Sequence, residues 1–200
     1  AQLSPADDML IKIEKALDID SEGQLIASVL SKKAAAGSTH VVIDIPVGET
    51  AKVRTNDAAM KLKEHLEVVG KAVGLTTRVV ITDGTQPVGR GIGPALEAMD
   101  ILSVLKNEVD APKDLRERAV LLAGELLELS GEIESGKGKQ TARGLLESGK
   151  AYNKFLAICK AQGNFKQPLL KPYKFEIKAK KTGVLRRIDN RKIAKLAKLS

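Results

Sequence analysis

Cysteine is nearly absent from this 200-residue chain: Cys159 stands alone, so no internal disulfide can form. It follows the apolar run Phe155-Leu-Ala-Ile, where a packed thiol is the simpler reading than a nucleophile. Two histidines, His40 and His65, and that one cysteine are too few soft ligands for a structural zinc site. Tryptophan is missing, and no apolar run approaches the roughly 20 residues that span a bilayer. No stretch reads as a signal peptide, so the expectation is a reduced, cytoplasmic protein with no membrane partner. Zinc and thiol chemistry drop out.

Aromatic residues are also scarce, and their placement is informative. The two tyrosines and three phenylalanines all lie between Tyr152 and Phe175. Charge divides at the same place. The net +8 taken alone suggests a nucleic-acid or membrane-surface binder. Yet residues 1–150 hold 19 Lys/Arg against 23 Asp/Glu, while residues 151–200 hold 14 against 2. An acidic body is joined to a basic end. The hydrophobic fraction of 43% and mean hydropathy of -0.11 allow a buried core.

Periodicity predicts the elements. Ser4-Pro5 followed by Asp7 and Asp8 opens a helix with the stripe Leu10, Ile11, Ile13, Ala16. Ser21-Glu22 opens a second, with Leu25, Ile26, Val29 and Leu30, stopping at Gly37. Thr39–Ile45 and Thr76–Thr82 are β-branched runs bounded by glycine or proline, hence buried strands. Between them Thr55 opens an amphipathic helix that closes at Gly74. A glycine-rich loop at 83–93 leads into a helix over Pro94–Leu105, and helices follow over Pro112–Leu129 and Thr141–Ala161. Strand, helix, strand, loop, helix is the alternation of a parallel α/β sheet. Beyond Gly163 the period changes: Lys174–Lys180 and Val184–Ile188 read as a hairpin around Lys181-Thr-Gly183, and Asp189-Asn190 caps a basic helix. A lone hairpin with one helix is too little to stand alone.

Few residues carry chemistry without a competing structural explanation. Gly89, Gly91 and Gly93 precede a helix, where backbone amides could cradle an anion. Their G-x-G-x-G spacing is not the dinucleotide fingerprint, and a tight turn with close helix packing is the favoured reading. Gly136-Lys-Gly-Lys-Gln-Thr141 fails as a phosphate loop because Gln140 follows the lysine. Ser28 and Lys32 lie four apart on one helix face and could hold the oxygens of a heterocycle and stabilise it as it leaves. Alone, a lysine in a last helical turn more often complements the dipole. Asp7 and Asp8 read as N-terminal carboxylates before they read as an acid–base pair. Asp44, inside Val-Val-Ile-Asp-Ile, is costly unless paired or near a sheet end. Nothing forms a complete catalytic set, and the catalytic residues stay unassigned.

Several segments converge on one family. Leu3-Ser-Pro-Ala-Asp-Asp8, Ile26-Ala-Ser-Val-Leu-Ser-Lys-Lys33, Thr82–Glu97 and Leu145–Ala151 followed by Ala161-Gln-Gly163 resemble the thymidine and pyrimidine-nucleoside phosphorylases. His40–Gly48, with Pro5–Asp8, is most similar to the branch holding AMP phosphorylases and bacterial thymidine phosphorylase-like proteins. The resemblance implies phosphorolysis: inorganic phosphate attacks the sugar anomeric carbon, the base departs, and a sugar-1-phosphate forms. Inorganic phosphate is then a co-substrate and no cofactor is required. It also implies a cleft between a small helical domain and an α/β domain, in a homodimer. Residues 1–36 would belong to the helical domain, 37–170 to part of the α/β domain with a parallel or mixed sheet, and 171–200 to the start of an α+β C-terminal domain. Ser28 and Lys32 match the base-contacting pair, and Asp8 joins them as a substrate-binding candidate. The carbonyls of Val88 and Gly91 with the side chain of Asp100 match a monovalent-cation site, although Asp replaces the family's Glu at 100.

Two departures qualify the expectation. Residues 9–20 hold no arginine, where pyrimidine-specific members carry one for the base. The family's phosphate signature is not within this sequence, so the chain by itself is expected to be inactive. The leading function is phosphorolysis of thymidine or a related pyrimidine nucleoside, with AMP phosphorolysis as the runner-up. A nucleic-acid-binding module built on the basic end is the alternative of another class. Lysines on one face of a strand also serve to solubilise a hairpin, and the phosphorylase is favoured.

Overall fold

The computed structural model describes residues 4–17, 21–170 and 172–199. Leu3, residues 18–20 of the arginine-free segment, Lys171 and Ser200 therefore lie outside the described residues. In chain order the elements are α1 (Pro5–Leu17), α2 (Glu22–Ala35), β1 (His40–Val47), α3 (Asn56–Ala72) and β2 (Thr76–Asp83). They continue with α4 (Pro94–Leu105), α5 (Lys113–Leu129), α6 (Gly138–Glu147), α7 (Lys150–Ala161) and α8 (Asn190–Leu199). The class is α/β.

β1 and β2 pair in parallel, His40 opposite Thr76 through Val47 opposite Asp83. α3 makes the crossover a parallel pair requires. Thr55 starts it: its hydroxyl accepts from Ala58 N at 3.2 Å, satisfying one of the amides left over at a helix start. Ala59, Leu62, Leu66 and Gly70 fall on one face of α3 and are buried. Gly70 lets the helix press onto Thr77 of β2, whose hydroxyl would collide with any Cβ there. Ile26 and Leu30 of α2 share this first core with Val41, Ile45, Leu62, Leu66 and Val79. Hence α2 packs on α3 and shares a core with the strands.

A second core joins Val104, Ala111, Val120, Ala142 and Leu146 from α4 to α6. Its tightest contact is between glycines: a Cβ on Gly138 would strike the carbonyl of Gly124, so α5 and α6 touch backbone to backbone. The Glu128 carboxylate accepts from Gly138 N at 2.9 Å and caps α6. The amides of Gly138 and Gly136 hold this carboxyl below its ordinary range.

Two expectations fail here. The single helix over Thr141–Ala161 is two helices, because Gly149 takes φ 74, a left-handed conformation that ends α6 and restarts the chain as α7. The hairpin over 174–188 does not form: no strand occurs among the described residues from 164 to 189. Its alternation has nothing to bury against, and Tyr173, Phe175, Ile177 and Val184 are each at least 86% exposed. α8, in contrast, returns to the body, where Ala197 lies against Gly93. Among the described residues no helix is long and apolar enough to cross a membrane.

Candidate functional site

Ser28 and Lys32 are neighbours on α2, as their spacing requires. The third member of their group is Asp7, not Asp8. α1 carries Asp7 inward to 5% exposure, whereas Asp8, one residue round the helix, is exposed. The Asp7 Oδ2 accepts from Ser28 Oγ at 3.1 Å and meets Lys32 Nζ at 2.6 Å. Lys32 Nζ also donates to Ser28 Oγ at 3.2 Å, and Gln24 Nε2 reaches Asp7 Oδ1 at 3.4 Å. Lys32 draws the Asp7 carboxyl below its ordinary range; burial opposes this, and Ser28 assists. The carboxylate thus fixes an ammonium and a hydroxyl side by side. An ammonium held in place beside a hydroxyl is suited to carbonyl or ring oxygens and to charge that develops on a leaving group.

Next to this group α2 turns Leu25 and Val29 into a cleft of about 460 Å³. Its other walls come from the carboxyl ends of the strands (Ile43 to Pro46, Asp83, Gly84) and from Leu62 and Leu66 of α3. The carboxyl ends of parallel strands are where open α/β sheets bind ligands. Ala51, Lys52, Val53, Gln86 and Val88, with Arg118 of α5 and Asn190 of α8, complete the lining.

Asp44, costly in an apolar strand, is paired at the cleft floor. Arg118 Nη1 donates to Asp44 Oδ2 at 3.0 Å and to Thr82 Oγ1 at 2.8 Å, and Nη2 donates to the carbonyl of Asp83 at 2.8 Å. Thr82 Oγ1 in turn donates to Asp44 Oδ1 at 2.6 Å. One guanidinium therefore ties both strand ends to α5. The Asp83 carboxyl is held below its ordinary range, chiefly by the Thr85 amide, then by the Thr85 hydroxyl and more weakly by Arg118.

The glycine loop spends its amides on the protein's own carboxylates. Gly89 N donates to Asp114 Oδ2 at 2.9 Å, Arg90 N and Gly91 N both to Asp100 Oδ2 at 2.6 Å, and Gly93 N to Glu97 Oε1 at 2.8 Å. A phosphate would have to displace three carboxylates. Gly91 is needed for packing, since a Cβ there would strike the backbone of Leu96. Asp100, where the resemblance puts a cation, accepts the Arg90 and Gly91 amides through Oδ2. No group of three or more His, Cys, Asp or Glu side chains that could hold a metal occurs among the described residues.

The chain is 59% identical over 198 residues to a protein of Hahella chejuensis named "Putative thymidine phosphorylase", a match covering 99% of this chain and 39% of the relative. It is 57% identical to a protein of the same name in Legionella pneumophila strain Corby, over 99% of this chain and 38% of the relative. A further relative, "Putative thymidine phosphorylase 1" of an Acidovorax species, is 57% identical over 100% of the chain and 39% of its own length. Along its whole length the chain is thus similar to a part of proteins that carry this name. It spans about two fifths of the length of these relatives. No family model matches the chain.

Gln24, Arg118 and Thr82 escaped the sequence reading, which took Asp7 as a helix-start carboxylate and Asn190 as a cap. Asp7 and Asp8 sit in the same helical turn, and only the angle of α1 against α2 chooses between them. Arg118 lies 74 residues from Asp44 and gives no local signal. Asn190 reads as a helix cap, but Asp189 does that work: its Oδ1 accepts from Arg191 N and Lys192 N at 3.1 and 3.0 Å.

Proposed function

We propose that this chain carries the base-holding part of a nucleoside phosphorylase site, with thymidine or a related pyrimidine nucleoside as substrate. The supporting observation is the Asp7–Ser28–Lys32 group on the helix whose Leu25 and Val29 line an apolar cleft, in a chain 59% identical to a protein named for this activity. The leucine and valine wall would receive the flat face of a heterocycle. Ser28 and Lys32 would hold its oxygens, and Asp7 would keep both donors aimed. As phosphate attacks the anomeric carbon, the carbon–nitrogen bond breaks and its electrons pass to the base. Lys32 stabilises that charge where it appears. Inorganic phosphate is the second substrate, and no residue of this chain is assigned to it.

The glycine loop's amides are already taken, so the chain by itself is proposed to bind nucleoside without cleaving it. A cytoplasmic location and a homodimer of the longer protein accompany this reading. A monovalent cation is given no step in this reading. Equilibrium binding of thymidine, uridine and AMP, with an assay of base release in phosphate, tests the proposal. Saturable thymidine binding without release is expected. Tighter AMP binding would move the substrate to a nucleotide, and release of thymine by this chain would disprove the division of labour.

A further inference from the structure

The cleft changes character at the carboxyl ends of the strands. Its α2 and α3 walls are aliphatic, from Leu25, Val29, Leu62 and Leu66, whereas Asp44, Asp83 and Gln86 bring polar groups. Asp44 is committed: its Oδ1 accepts from Thr82 and its Oδ2 from Arg118. Asp83 has capacity left. Its Oδ1 accepts from Thr85 N at 2.9 Å, which holds the side chain in the turn after β2, and the Thr85 hydroxyl is its other partner. An ionised carboxylate offers about four acceptor positions, so part of this one stays open. The residue is exposed and lines the cleft, where a ligand can reach it.

The backbone places this carboxylate. Side chains alternate along β2, so Asp83 stands on the face of Val79 and Ile81, which share the first core with Leu25 and Val29. Arg118 holds the Asp83 carbonyl at 2.8 Å, which fixes the main chain at the strand's end. β1, α3 and β2 form a parallel β–α–β unit, and Asp83 is the last residue of its second strand. In dinucleotide-binding β–α–β units an acidic residue at that point accepts from a ribose 2′-hydroxyl. A hydroxyl suits it, because hydrogen bonds to an ionised acceptor are short and about twice as strong as neutral ones.

We propose that Asp83 is a specificity-determining residue of the cleft, its carboxylate accepting from the 2′-hydroxyl of a bound nucleoside and so selecting ribose over 2′-deoxyribose. This rests on the nucleoside reading above and deepens it by naming the sugar. The base lies against the aliphatic walls, and the sugar occupies the polar end beside Asp83 and Gln86. A 2′-deoxynucleoside makes the same apolar contacts but leaves the carboxylate without that hydroxyl. The ribonucleoside is therefore the tighter ligand and thymidine the weaker one.

The probes are thymidine and 5-methyluridine, which differ only in the 2′-hydroxyl. Their affinities are to be measured on the whole chain and on two variants. The unaltered chain should favour 5-methyluridine by at least about tenfold, the scale of a hydrogen bond to a charged group. Asp83→Ala should bring the ratio of the two affinities close to one. Asp83→Asn keeps an oxygen for the Thr85 amide, and with it the turn, but loses the charge. Its ratio should fall to about threefold, the scale of a neutral hydrogen bond, and it decides alone if Asp83→Ala does not fold. A purely structural role for Asp83 predicts that both nucleosides weaken together and the ratio stays as in the unaltered chain, and that result overturns the proposal. Equal affinities in the unaltered chain, or a preference for thymidine, overturn this inference and leave the nucleoside reading standing. Absence of binding by either nucleoside overturns both.

Discussion

The body of the molecule and its segment from 164 to 189 both carry patterned apolar residues, yet among the described residues only the body forms helices and strands. In α3, Leu62 and Leu66 are 5% and 2% exposed; Phe175 and Ile177, on an equally regular alternation, are 90% and 86% exposed. The patterns differ in what stands opposite them. α3 meets β2, α2 and the strands' side chains, whereas the 174–188 stretch meets no second apolar surface among the described residues. Periodicity states which face an element would bury. It does not supply the surface to bury it on.

This contrast is open to test by truncating side chains on both sides of it. The largest effect is expected at Leu66→Ala, which empties a 2% exposed site in the first core and should cost about 2–5 kcal/mol in urea unfolding. Arg118→Met should come next. It strips Asp44 of its guanidinium partner at a site only 22% exposed, for a loss of about 1–3 kcal/mol. Gly149→Ala forces a methyl-bearing residue to φ 74 between α6 and α7 and should cost about 1 kcal/mol. Phe175→Ala should change stability by less than about 0.5 kcal/mol, since the ring is exposed. A large loss at Phe175 would mean that the segment packs after all, and the contrast would fail.

A pH titration sharpens the same comparison within the site. Lys32 lowers the Asp7 carboxyl below its unfolded value, so the stabilisation is fully present above about pH 4 and is lost as pH falls through the lower folded value. Unfolding followed between about pH 5 and pH 2 should show that loss in the unaltered chain and a smaller one in Asp7→Asn. An identical pH profile in the two proteins would remove Asp7 from the group.

Much of the fold was legible because its signals are local. Thr55, the β-branched runs around Val41 and Val79, and the stripe Leu62–Leu66 each declare an element within a few residues. The Ser28–Lys32 spacing was legible for the same reason, four residues being one helical turn. The rest depended on contacts between distant parts of the chain. The choice of Asp7 over Asp8 depends on how α1 lies against α2. The Arg118–Asp44 pair spans 74 residues and the Asn190–Gly84 bond 106, with nothing nearby to announce either. The glycine loop's spacing left an anion cradle open, and only the positions of Asp100, Asp114 and Glu97 show who already holds its amides.

The split in charge, acidic to residue 150 and basic beyond it, marks an acidic body joined to a basic end. The site assembled here lies in the acidic body, with Asn190 the one contribution from the basic end. Thymidine affinity measured side by side for Lys32→Ala, within the cluster, and Lys195→Ala, on α8 in the basic end, tests that assignment most directly. The account predicts at least about a tenfold weaker Kd for Lys32→Ala, the scale of a hydrogen bond from a charged donor, and no change for Lys195→Ala. Equal affinities for the unaltered chain and Lys32→Ala would contradict it.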